Sequence, residues 1–166
     1  MARNTSSNGS RQRGFSLIEL LIVVAIILII AAIAIPNFLK SKMAANEAAT
    51  VASMRTLNTA MVTYQSQCPA VGYPATLVDL GPSAASGCTG GANIVDNIIG
   101  VANPQKSGYS FTYAPVPGGG INGSYTLNAD PQSRGTTGQR SFYTDPSGVI
   151  RFNQGAVAVV TDTPLG

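Results

Sequence analysis

The chain has no histidine and no tryptophan, only two cysteines, and few charges for its length. The absent histidine removes the commonest general base and the commonest metal ligand. No Ser, Cys or Lys nucleophile has an evident base nearby, so the reading is non-enzymatic, with no catalytic residue, metal ligand or cofactor. The two cysteines, Cys68 and Cys88, stand too far apart for CxxC redox or zinc chemistry. Charged residues make up 10% of the 166 positions, so the polar surface must come mainly from Ser, Thr, Asn and Gly.

Ten Lys and Arg face seven Asp and Glu, a formal charge of +3. Arg3, Arg11 and Arg13 all precede Phe15, and the remainder is neutral. The basic balance therefore marks a short N-terminal segment that reads as a targeting signal, not a nucleic-acid surface. Lys106, Arg134, Arg140 and Arg151 are dispersed along the neutral part and read as a solvated surface, with a DNA-binding patch as the weaker alternative. Asp130, Asp145 and Asp162, each beside or close to a Pro, read as solvated turn residues.

What the chain does have is a long hydrophobic run. Residues 20–35 are all apolar, about 24 Å of helix, and counting from Phe15 lengthens this to about 32 Å. That is enough to cross a bilayer core of about 30 Å. The preceding arginines place the N-terminus in the cytoplasm, although Lys40 and Lys42 just beyond the run dilute the asymmetry. One carboxylate, Glu19, lies at the start of this segment. A charge at bilayer depth is costly and marks a functional position by default. Two simpler readings compete: a secretory signal cut near Ala32-Ile33-Ala34, and a plain signal anchor with a stray Glu. Helical sequence continuing past Ile35 opposes the first, and neither explains Gly14 and Phe15.

The run Arg13-Gly14-Phe15-Ser16-Leu17-Ile18-Glu19-Leu20, followed by an apolar stretch ending Ala34-Ile35-Pro36-Asn37-Phe38, resembles the N-terminal signature of type IV pilins and of type II secretion pseudopilins, most like a type IVa-class pilin. The likeness covers residues 11–40. It implies cleavage between Gly14 and Phe15 by a prepilin peptidase that also methylates the new N-terminal Phe15. It further implies a homopolymeric filament subunit, held in the inner membrane before assembly on a pilus or secretion platform, with a type II secretion pseudopilin as alternative. A second alternative is an exported adhesin or binding module whose signal is removed. Cleavage would create an ammonium at Phe15, which Glu19 can neutralise within its own helix, four positions away, or in a neighbouring subunit. Major pseudopilins bind calcium in an Asp-rich C-terminal loop; the spread of Asp130, Asp145 and Asp162 does not provide that cluster.

Past Pro36 the text stays helical, since residues 40–67 contain no Gly or Pro and are rich in good helix formers. Val51, Met54, Leu57, Met61 and Tyr64 form an apolar stripe at helical period, expected to pack on a sheet. Asn46, Ser53, Thr56 and Thr63 are assigned to the opposite, open face. Pro36 removes one helical hydrogen bond and is expected to kink or locally melt residues 32–36. A helix running from Phe15 to Gln67 is too long for a domain of about a hundred residues to bury, so its first half is expected to project. Export into an oxidising compartment makes a Cys68 to Cys88 disulfide the expected pairing. From Tyr109 the pattern changes to short β-rich runs at 109–113, 124–128, 140–144, 149–152 and 156–161, punctuated by Gly and Pro.

The expected class is therefore α+β, the pilin fold, with a long N-terminal helix whose second half packs on an antiparallel sheet of about four strands. The expected divisions are a leader at 1–14, a membrane or filament-core segment at 15–36, the amphipathic half of the helix at 37–67, a disulfide-bounded region at 68–107, and the sheet at 108–166.

Overall fold

The computed structural model describes residues 14–82, 87–88 and 90–165. Helix α1 spans Leu17–Gln67, and a 3-10 turn follows at Leu77–Leu80. Among the described residues six strands then run in chain order: β1 Gln105–Lys106, β2 Tyr109–Gly118, β3 Ile121–Pro131, β4 Ser141–Thr144, β5 Arg151–Asn153 and β6 Thr163–Pro164. All neighbours pair antiparallel in the order β1-β2-β3-β4-β5-β6. The α+β class and the pilin-like layout are as expected, with six strands in place of about four. The chain divides into two compact units, Met1–Phe38 and Leu39–Gly166.

In the first unit the apolar side chains from Leu17 to Phe38 are largely exposed. In the second, Val51, Met54, Leu57, Met61 and Tyr64 are all buried, so the helical stripe faces the core as its period requires. They join Tyr109, Phe111, Tyr125, Leu127, Ala129 and Phe142 from the sheet in a single apolar cluster. Inward positions of β3 alternate as a half-buried strand dictates, with Tyr125, Leu127 and Ala129 buried and Thr126 and Asn128 less so. Helix α1 stops at Gln67 because Pro69 disfavours helical geometry at Cys68, and the Val71 and Gly72 N–H groups then turn back onto the Cys68 carbonyl at 3.0 Å each.

Two sequence expectations are corrected here. The longest strands, β2 and β3, overrun the expected 109–113 and 124–128 and carry the ladder through Pro115 and Pro117 to a two-residue turn at Gly119 and Gly120. Both turn glycines have positive φ, the geometry that joins twisted strands most tightly. The prolines are tolerated because β1 covers only the start of β2, leaving the far edge without a ladder that needs their N–H. Conversely, 156–161 is not a strand. The Val159 N–H donates to the Asp162 carboxylate at 2.7 Å and the Asp162 N–H to the Val159 carbonyl at 3.0 Å. That local turn consumes the donors a ladder would use, and the pairing with β5 passes to Thr163 and Pro164.

Candidate functional site

The N-terminal segment begins at an exposed junction. Nothing lies within 4 Å of where a Cβ on Gly14 would stand, and Phe15 is 74% exposed. The helix starts immediately afterwards, with the Leu20 N–H donating to the Ser16 carbonyl at 3.2 Å. Ser16 is thus the residue that caps α1, and three positions on, the Glu19 carboxylate accepts from the Ser16 N–H at 3.0 Å. This Ser-x-x-Glu pattern is half of a capping box, legible in Ser16-Leu17-Ile18-Glu19 and overlooked in the sequence reading. It gives Glu19 a local role: its negative charge meets an orphan donor and the positive end of the helix dipole. The bond occupies one oxygen, and a carboxylate has acceptor sites to spare. Beyond it, α1 contains an apolar window of mean hydropathy 3.3 with none of its residues buried, long and apolar enough to cross a membrane.

Pro36 lies inside α1, and the helix runs through it unbroken. Residues 32–36 are therefore helical in this structure. Proline removes one backbone donor, whereas the bonds on either side remain and the Asn37 side-chain amide adds another, donating to the Ile33 carbonyl at 3.1 Å.

Residues 9–35 match the prokaryotic N-terminal methylation motif. Over 57 residues the chain is 49% identical to the type IV major pilin protein PilA of Myxococcus xanthus. The chain is thus similar to type IV pilins over its N-terminal part. The aligned stretch covers 34% of this chain and 26% of the relative, so the match spans about a quarter of that protein's length. No solved structure matches the chain.

The folded second unit is pinned to its stretch of helix by a second carboxylate, Glu47. It is 7% exposed and accepts from the Gln139 N–H at 2.8 Å, the Arg140 N–H at 3.1 Å and the Arg140 Nε at 2.7 Å. Burial pushes the carboxyl up, but these donors and the positive guanidinium outweigh it and hold Glu47 below the ordinary 4.5. The Arg140 guanidinium also lies over the rings of Phe142 and Phe152, at 5.6 and 5.3 Å. The preceding residue, Asn46, donates to the Thr137 carbonyl at 2.8 Å, and the Tyr109 hydroxyl closes the group by donating to the Arg140 carbonyl at 2.7 Å. Sequence reasoning missed Glu47, although it continues the buried stripe four residues before Val51 and so belonged to the inward face.

Asn46 and Ser53 are accordingly moved off the open face: the first holds the 133–140 loop and the second is buried, while Thr56 is exposed as expected. The basic residues read as a dispersed solvated surface are also corrected. Arg140 is the partner of Glu47. Arg134 donates to the Gln139, Gln154 and Ala156 carbonyls and to the Ser141 hydroxyl, tying three segments together. Arg151 donates to the Asp162 carbonyl at 3.1 Å, and Lys106 lies 3.9 Å from Asp96. Asp145 does act as a turn residue, accepting from the Ser147 N–H at 2.9 Å. Asp162 does the same for Val159, whereas one oxygen of Asp130 is buried without a hydrogen-bond partner among the described residues.

Cys68 and Cys88 form a disulfide with Cα atoms 5.6 Å apart. The Tyr64 hydroxyl donates to the Cys88 carbonyl at 2.5 Å, so the loop is held to the last turns of α1 by a covalent and a polar link together.

Proposed function

We propose that the chain is a prepilin, cut between Gly14 and Phe15 by a prepilin peptidase, N-methylated on Phe15, and polymerised into a type IV pilus filament. The observation that carries this reading is the position of Glu19: a capped carboxylate four residues past an exposed Gly14 and Phe15 junction, at the head of a bare apolar helix. Before assembly the apolar helix is the anchor in the cytoplasmic membrane, with the N-terminus inside. Assembly on a membrane platform exchanges its lipid contacts for packing against the same helix of other copies. Head-to-tail contacts that do not close on themselves then extend without limit as a fibre. Glu19 can keep its bond to the Ser16 N–H while its remaining acceptor sites receive the Phe15 ammonium, so that neither charge is buried alone. Pro36, already short of one helical bond, is where the helix yields when subunits pack.

Two substitutions test this in cells carrying the assembly machinery. Glu19→Val is expected to be processed normally and to leave few or no filaments by electron microscopy; abundant normal filaments would sink the charge pairing. Gly14→Glu is expected to accumulate the uncut precursor on a gel, and full processing of that variant would exclude cleavage by a Gly-dependent prepilin peptidase.

A further inference from the structure

The first charges beyond the apolar run are Lys40 and Lys42. Both are exposed, and among the described residues neither has a carboxylate partner, since the ion pairs are Lys106 with Asp96 and Arg140 with Glu47. The nearest acidic residue in sequence, Glu47, is already saturated by the 139–140 segment. Positions two apart on an α-helix lie roughly 200° around the axis from one another. The two ammonium groups therefore leave α1 on opposite sides at one level, and their long apolar stems let the charged ends reach a polar layer while the stems stay against lipid tails. The run before them is as long as a hydrocarbon core. Cleavage would remove Arg3, Arg11 and Arg13, leaving this pair as the cations next to the anchor.

We propose that Lys40 and Lys42 form a two-sided clamp for the phosphate groups of anionic phospholipids in the outer leaflet of the cytoplasmic membrane. The clamp sets the depth at which the subunit waits before assembly. The inference rests on the membrane-anchored reading given above. Leaving the bilayer for a filament then means releasing these headgroups as well as the apolar contacts. The clamp runs against the usual distribution of cations around a membrane helix, which the arginines of the uncut precursor enforce during insertion.

The test uses the chain freed of residues 1–14 and bearing its disulfide, in nanodiscs of equimolar phosphatidylcholine and phosphatidylglycerol. Lipids retained through mild delipidation are counted by native mass spectrometry. The unaltered chain is expected to retain phosphatidylglycerol over phosphatidylcholine. Lys40→Gln with Lys42→Gln is expected to lower that preference roughly 25-fold, about five-fold per lysine, and Lys106→Gln to leave it unchanged. Equal retention of the two lipids by the unaltered chain, or a preference that survives the double substitution, would overturn the clamp. Failure of the unaltered chain to stay in the disc at all would instead overturn the membrane-anchored reading, and the clamp with it.

Discussion

Two glutamates in one helix do opposite jobs because of what surrounds them. Glu19 stands exposed at an N-terminus and caps it, whereas Glu47 is buried and collects three donors from the 139–140 segment. Removing Glu47 leaves the Arg140 guanidinium and two backbone N–H groups without their acceptor, so Glu47→Ala is expected to cost about 3 kcal/mol in denaturant unfolding. The pH dependence has a definite sign. A carboxyl held below 4.5 in the folded chain stabilises fully above its unfolded value, and that contribution fades as pH falls through the folded one. Unfolding free energy is expected to be flat in this respect above about pH 5 and to decline below pH 4.5, a decline that Glu47→Gln should lessen. Gly138 shows a steric limit of another kind. A Cβ there would overlap the Tyr109 hydroxyl, which is committed to the Arg140 carbonyl, so Gly138→Ala is expected to lower stability by roughly 2 kcal/mol.

Among the elements, the second half of α1 and the β2-β3 ribbon owe their form to periodicity and turn chemistry. The stripe from Val51 to Tyr64 was legible because a helix buried on one side has to repeat that way. The ribbon's length was not, since Pro115 and Pro117 read as breakers until the open edge of β2 is known. The disulfide region is an element held by its ends. Reduction, or Cys68→Ser with Cys88→Ser, frees a loop of 20 residues' separation, and its loss is expected to cost about 3 kcal/mol. A comparison of unfolding midpoints with and without reductant checks this. The loop's far side is held independently. The Tyr73 N–H donates to the Asn122 carbonyl and the Asn122 N–H to the Val71 carbonyl, both at 2.9 Å, and Gly72 is needed there because any Cβ would press into the Asn122 carbonyl. The ribbon contact is therefore expected to survive reduction, as slow amide exchange at Tyr73 would register.

At the scale of the whole molecule, the described residues of the first unit form no buried core, whereas the second unit has one. Within the first, nearly every large apolar side chain faces outward, an arrangement that water punishes and that lipid or other copies of the helix reward. Purified without detergent, the full chain is expected to self-associate, while a chain beginning at Leu39 is expected to stay monomeric in sedimentation. That truncation retains Glu47, the disulfide and the entire apolar cluster. A truncated chain that aggregates would mean that the second unit needs the first for its own fold.

The N-terminal apolar segment and the motif that opens it were readable in linear text because their physics is one-dimensional. Sixteen apolar residues in a row, a Gly before a Phe and a Glu four further on keep their meaning whatever the rest of the chain does. The helix stripe belongs with them, since its period is a property of the helix. Pairings across long sequence distances could not be read that way. Glu47 and Arg140 are 93 residues apart, Asn46 and Thr137 are 91 apart, and Arg134 finds its four acceptors only once the loop, β4 and the C-terminal segment converge. A charged side chain reads as solvated until folding brings a partner to it, because the cost of burying a charge is cancelled by neighbours that chain order does not reveal.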